Sequence, residues 1–112
     1  MQEASVLIVD DAQINRELLE FILQDRYQVF QAENGAQAIE MIESQERIYR
    51  LVLLDIQMPV MDGFGVLEYL QQHNLLRELP VIVISGDCSD ASILHAYELG
   101  AVDFFSKPFS PE

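Results

Sequence analysis

Three short apolar runs constrain this chain more than any other feature: Val6-Leu7-Ile8-Val9, Leu51-Val52-Leu53-Leu54 and Val81-Ile82-Val83-Ile84. None of them alternates with polar residues. A strand with one face in water alternates, whereas a strand covered on both faces is apolar throughout. The segments between them carry helical spacing. Ile14, Leu18, Phe21 and Ile22 recur at that spacing after the first run. Tyr27 to Ala32 alternates loosely and reads as a second strand at a sheet edge. Asn34-Gly35 is a turn, and Ala38, Ile39, Met41 and Ile42 form the apolar side of a second helix. A loop with Pro59 and Gly63 follows the second run, and a short helix passes through Val66, Leu67 and Leu70. A helix around Ile93 to Leu99 stops at Gly100, and Val102 to Ser106 is the fifth strand. The order β-α-β-α-β-α-β-α-β predicts an α/β fold, a parallel sheet with helices on both faces.

At 112 residues the chain holds one domain and one modest core. Half of its residues are hydrophobic, too many for a disordered chain. The formal charge of -13 argues against direct nucleic-acid binding, which needs clustered Lys and Arg. It suits a cation site, a basic partner patch or solubility, and a solvated acidic surface accounts for most of it. Cys88 is the single cysteine, so no internal disulfide forms. The polar start Met1-Gln2-Glu3 lacks a basic leader, and no apolar run is long enough for a membrane. A cytoplasmic setting is expected. Ser110-Pro111-Glu112 has the form of a helix start, so residues 1–112 are expected to be one domain of a protein that continues C-terminally.

Open parallel sheets bind ligands at the carboxyl ends of their strands. Asp10 and Asp11 follow the first run and Asp55 follows the second. Ser85 and Gly86 follow the third, and Lys107-Pro108 follows the fifth strand. Each has a bland reading alone: Asp10-Asp11 as a turn or helix cap, Ser85-Gly86 as a turn, Lys107 as a surface lysine. Together they put three acids, a hydroxyl and an amine on one edge. Three adjacent carboxylates repel and favour a hard cation such as Mg²⁺. Beside Mg²⁺ one carboxylate can attack phosphorus, while the metal, a lysine and a hydroxyl neutralise the transferred group. Asp55, alone on its strand and facing a loop, is the expected nucleophile.

These residues resemble the receiver domain of two-component response regulators, from Val6 to Phe109. The motifs are Val9-Asp10-Asp11, the stretch Leu53-Leu54-Asp55-Ile56-Gln57-Met58-Pro59-Val60-Met61-Asp62-Gly63, Ile84-Ser85-Gly86, Gly100-Ala101 and Lys107-Pro108-Phe109. The second is the specific one; an Asp-Asp pair alone would not be. The resemblance implies a flavodoxin-like, doubly wound five-stranded sheet in the order 2-1-3-4-5, with the last helix missing or truncated. It implies phosphorylation of Asp55 and a Mg²⁺ site from Asp10, Asp11, Asp55 and the backbone carbonyl of Gln57. Ser85 and Phe104 match the switch hydroxyl and switch aromatic, and Lys107 and Ser85 match the groups that assist transfer. It further implies a cis Lys107–Pro108 bond, a sensor histidine kinase or histidine phosphotransfer protein as donor, and a C-terminal output domain.

Three other readings fit less well. A phosphatase with an aspartyl-phosphate intermediate needs a second acid two residues after its nucleophile, where this chain has Gln57. A flavodoxin-like nucleotide binder needs a Gly/Ser/Thr loop after the first strand, where Asp10-Asp11 would repel phosphate. A non-phosphorylatable interaction module would have no use for a complete set. Met58 and Met61 read as loop packing, His73 and His95 as surface residues, and Tyr49, Tyr69 and Tyr97 as packing residues. Without the last helix, an apolar face beside the first helix is expected to lie open and to favour self-association.

Overall fold

The structure, a computed structural model, describes residues 4–44 and 47–107. Among the described residues nine elements alternate: β1 (Ala4–Val9), α1 (Gln13–Leu23), β2 (Tyr27–Ala32), α2 (Gly35–Glu43), β3 (Tyr49–Leu54), α3 (Gly63–Gln72), β4 (Val81–Ser85), α4 (Asp90–Glu98) and β5 (Asp103–Ser106). The strands form one sheet in the order β2-β1-β3-β4-β5, and every pairing is parallel. This is the sheet expected from the sequence.

The continuous apolar runs occupy the three inner strands. Leu7, Val9, Val52, Leu54, Val81 and Val83 point to one face, where Ala38 of α2, Val66, Leu67 and Leu70 of α3 and Ala96 of α4 close over them. Val6, Ile8, Leu53 and Ile84 point to the other face, against Leu19 of α1. Side chains of this size each contribute about 1.5–3 kcal/mol when fully buried. Opposite pleats of one strand therefore feed two separate clusters, which is why residues 6–9, 51–54 and 81–84 are apolar throughout.

The helices start on side-chain caps where the sequence offers one. Asn34 accepts from the Gln37 amide, Asp62 from Gly65 and Ser89 from Ser92. Ser89 and Asp90 make α4 begin at Asp90, earlier than the apolar spacing from Ile93 suggested. Gly100, at φ 109, ends it in the left-handed region, and a Cβ there would fall 2.5 Å from Leu76 Cδ1. β5 is one residue shorter than expected, since Val102 precedes it and is exposed. β3 begins at Tyr49, which is buried and packs edge-on against Phe30.

Tyr97, expected to be an amphipathic packing residue, is 44% exposed, with its hydroxyl 3.4 Å from Asp103 Oδ1. His73 and His95 are exposed, stacking on Tyr69 and tilting against Phe64 respectively. Ile14, Phe21 and Ile22 of α1 and Phe105 of β5 are exposed. The helix start at Ser110 and the Lys107–Pro108 bond lie outside the described residues.

Candidate functional site

Sheet pairing sets the site. β1 lies between β2 and β3, so the residues that leave β1 and β3 emerge side by side. The amide of Asp10 donates to Ala32 O at 3.1 Å and that of Asp55 to Val9 O at 2.9 Å. Both carboxylates are thus fixed at the sheet's rim by the last rungs of the ladder. Carboxylate oxygens of Asp10, Asp11 and Asp55 lie within 4.8 Å of one another. Asp10 and Asp55 are buried, and Asp11 faces solvent.

Lys107 enters from the far strand. Its amide donates to Ser85 O at 2.8 Å, which anchors the backbone to the end of β4. Its ammonium lies 2.7 Å from Asp10 Oδ2 and 3.2 Å from Asp55 Oδ2. Lys107 thus bridges both buried acids. Desolvation works against the ammonium, but the hydrogen bond to Asp10 and the fields of Asp55 and Asp10 outweigh it and raise the lysine pKa above 10.5. For Asp55 the balance runs the other way. Burial and then the neighbouring Asp10 raise its pKa above 3.8, against the opposing pull of Lys107 and the Gln57 amide.

Asp10 is held at every polar atom. Ala12 N donates to Oδ1 at 2.9 Å, and Asn15 Nδ2 reaches Oδ2 at 3.4 Å. The Arg16 guanidinium donates to its backbone carbonyl at 2.7 Å. Asn15 and Arg16 were not singled out from the sequence. The one available signal was a long basic side chain in the first turn of the helix that follows the acid pair.

The loop after Asp55 is tight. Gln57 N donates to Asp55 Oδ1 at 3.2 Å, and Gly63 N donates to Ile56 O at 2.9 Å. A Cβ on Gly63 would collide with the Asp55 carbonyl and lie 2.8 Å from Ile56 Cα. Val60 sits at φ 73, a strained conformation for a β-branched residue, and is exposed. Met58 and Met61 pack against the core, in keeping with their expected role.

Ser85 is fully buried at the end of β4, and its Oγ accepts from the Asp87 amide at 3.0 Å. Asp87 in turn accepts from Ser89 N and from Ser92 Oγ, so the loop is tied to the first turn of α4. Phe104, paired with Val83 in the sheet register, is half-buried against the larger core cluster. Cys88 is exposed, with Sγ 3.6 Å from Ser85 O.

The arrangement brings together hard oxygen donors that a cation could use, a buried carboxylate and a lysine ammonium. Three carboxylates at one point match the oxygen preference of Mg²⁺.

The model of the response regulator receiver domain family matches residues 6–112. The transcriptional regulatory protein SrrA of Staphylococcus aureus (strain NCTC 8325 / PS 47) is 35% identical over 107 residues, covering 95% of this chain and 42% of SrrA. The chain therefore spans less than half the length of that relative. The chemotaxis protein CheY4 of Vibrio cholerae superposes with a TM-score of 0.87 at 28% identity, covering 97% of this chain and 90% of CheY4. The response regulator TrrA of Thermotoga maritima, solved in complex with Mg²⁺-BeF, has a TM-score of 0.81 at 30% identity, covering 96% and 89%. With the sheet order, the acid cluster and a family match over nearly the whole chain in agreement, this chain belongs to the response regulator receiver domain family.

Proposed function

We propose that this receiver domain accepts a phosphoryl group on Asp55 in the presence of Mg²⁺ and passes the resulting change to an output domain or partner. The observation that carries this reading is the convergence of Asp10, Asp11 and Asp55 within 4.8 Å, with Lys107 spanning two of them. The donor is a phosphohistidine on a sensor histidine kinase or a histidine phosphotransfer protein. An Asp55 carboxylate oxygen attacks phosphorus, a P–O bond forms, and the P–N bond to imidazole breaks. The freed imidazole nitrogen takes a proton from solvent, and Asp55 becomes an acyl phosphate.

Asp10, Asp11, Asp55 and the Gln57 carbonyl are the residues that would hold Mg²⁺. When bound, the ion supplies charge neutralisation to the phosphoryl oxygens. Lys107 adds a second positive charge from the opposite strand. Ser85 Oγ, at the end of β4, is the hydroxyl that donates to the new group. Attack of water on phosphorus later releases inorganic phosphate and restores the carboxylate. The domain thus catalyses its own phosphorylation and dephosphorylation and turns over no other substrate.

No helix among the described residues is long and apolar enough to cross a membrane, which agrees with action in the cytoplasm. The charge of -13 agrees with a protein partner rather than nucleic acid for this domain. SrrA, by name a transcriptional regulatory protein, is more than twice as long as the matched region, which supports an output domain outside residues 1–112.

Labelling by acetyl phosphate with Mg²⁺ tests the assignment. Wild-type chain should be labelled and Asp55→Asn should not; labelling retained in the variant would mean another nucleophile. Beryllofluoride with Mg²⁺ should shift the amide spectrum of wild type, which a non-phosphorylatable module would not show.

A further inference from the structure

Asp10 and Asp11 are adjacent in sequence but held very differently. Asp10 is buried and bonded at its amide, its carbonyl and both carboxylate oxygens. Asp11 is exposed, and its carboxylate has no hydrogen bond or ion pair among the described residues. Contacts of its own therefore do not set where that carboxylate points.

The peptide linking the two acids is planar, so the direction of the Asp10 carbonyl fixes the direction of the Asp11 amide. That carbonyl accepts from Arg16 Nη1 at 2.7 Å. The guanidinium is itself anchored, since its Nε donates to Gln31 Oε1 at 3.0 Å. Gln31 Nε2 donates in turn to Glu20 Oε1 at 2.6 Å. The chain of bonds runs from α1 to β2 and back to α1, and ends on the peptide plane between the two acids. A planar fork with two fixed partners restricts its geometry far more than a lysine ammonium could.

We propose that Arg16 is a positioning residue for the cation site, fixing the Asp10–Asp11 peptide and thereby the aim of the Asp11 carboxylate. The inference rests on the Mg²⁺ reading above and adds a residue outside the acid cluster to it. Arg16 need not touch the ion; it bonds a carbonyl, and the carboxylates do the binding.

Charge and geometry make opposite predictions. Arg16 is a cation near an anionic site, so removing it should tighten Mg²⁺ binding if charge alone matters. If Arg16 aims Asp11, removing it should weaken binding. Groups that orient metal ligands typically change affinity by about 10–100-fold when lost.

The experiment is calorimetric titration of Mg²⁺ into the full chain, with melting in EDTA measured alongside. Arg16→Met should bind Mg²⁺ about tenfold more weakly than wild type. Arg16→Lys keeps the charge but cannot bond both partners as a fork, and should bind at least about threefold more weakly. It also decides the matter should Arg16→Met fail to fold. Binding within about threefold of wild type, or tighter, overturns the proposal for whichever variant folds. A lower melting temperature with Mg²⁺ affinity retained would make Arg16 a structural bond only and also overturns it. Wild type that binds no Mg²⁺ would overturn the cation-site reading itself, a result distinct from a variant that matches a binding wild type.

Discussion

The Lys107 ammonium sits closer to Asp10 Oδ2, at 2.7 Å, than to Asp55 Oδ2, at 3.2 Å. One amine therefore serves two buried carboxylates, and it does not fully offset the burial of Asp55. Asp55, the proposed acceptor, keeps a raised pKa despite that contact. Metal-free, the site is short of positive charge, which gives a cation or a phosphoryl–metal pair something to relieve.

Stability should carry the mark of this imbalance. The folded state holds a proton on Asp55 to higher pH than the unfolded chain does, because burial and then Asp10 raise its pKa above 3.8. Where the native state binds more protons, stability falls as pH rises. In EDTA, the Asp55 contribution should be fully retained below pH 3.8 and decline as pH climbs through its raised value. Asp55→Asn removes that penalty and should melt higher than wild type at neutral pH, with the gap closing in acid. Lys107 acts at the other end. Its pKa lies above 10.5 in the fold, so its stabilising contribution is full below 10.5 and lost at higher pH. Melting curves across pH for both chains check this, and an Asp55→Asn chain that melts below wild type at neutral pH contradicts it.

Magnesium should stabilise the fold by mass action. At ten times its Kd, a ligand that binds only the folded state adds about 1.4 kcal/mol. For a domain near this size each kcal/mol moves the melting temperature by about 4–8 °C. The rise should disappear in Asp10→Asn and in Asp11→Ala, because each removes an oxygen donor from the same cluster. An Asp11→Ala chain still stabilised by Mg²⁺ as strongly as wild type would remove Asp11 from the site.

How far the sequence announces this structure depends on what each residue needs to be read. β1, β3 and β4 were legible because strands covered on both faces carry continuous apolar runs. β5 was less so, because Asp103-Phe104-Phe105-Ser106 buries neither end and its register comes from β4. Spacing identified α1 as a helix but not its depth. Leu19 is its one buried residue, while Ile14 is 76% and Phe21 72% exposed. Periodicity reports a face, and the neighbours decide whether that face is covered. At the site, acids at strand ends can be read from position alone. The reach of Lys107 to Asp10 and of Arg16 to the Asp10 carbonyl cannot, because long side chains choose partners only once strands are placed side by side.

Gly63 links backbone packing to the loop after Asp55. Its missing Cβ leaves room for the Asp55 carbonyl and Ile56 Cα, and its amide closes the loop onto Ile56 O. Both obstacles are backbone, which cannot swing aside as a flexible side chain can. Gly63→Ala should destabilise by about 1–3 kcal/mol, the usual cost of overpacking. It should also slow acetyl phosphate labelling, since Asp55 must move with its own carbonyl. A variant of unchanged stability and labelling rate would show that the loop has slack at this point.

The last prediction concerns transmission from Asp55 to the α4–β5 side. Ser85 Oγ now accepts from the Asp87 amide, and Asp87 is tied through Ser89 and Ser92 to the start of α4. A phosphoryl group on Asp55 adds strong acceptor oxygens that compete for the Ser85 hydroxyl. If Ser85 turns toward them, the Asp87 amide loses its partner and the loop before α4 must readjust. Phe104 is half-buried against the core and has no hydroxyl to hold it in an outward position. It should turn further inward into the space that Ser85 leaves. Beryllofluoride with Mg²⁺ should therefore shift the Asp87 amide resonance and the Phe104 ring signals in wild type, and Ser85→Ala should abolish the coupled Asp87 shift. An unmoved Asp87 amide would end the hydroxyl half of this switch, and an unchanged Phe104 rotamer would end the aromatic half while leaving phosphorylation itself intact.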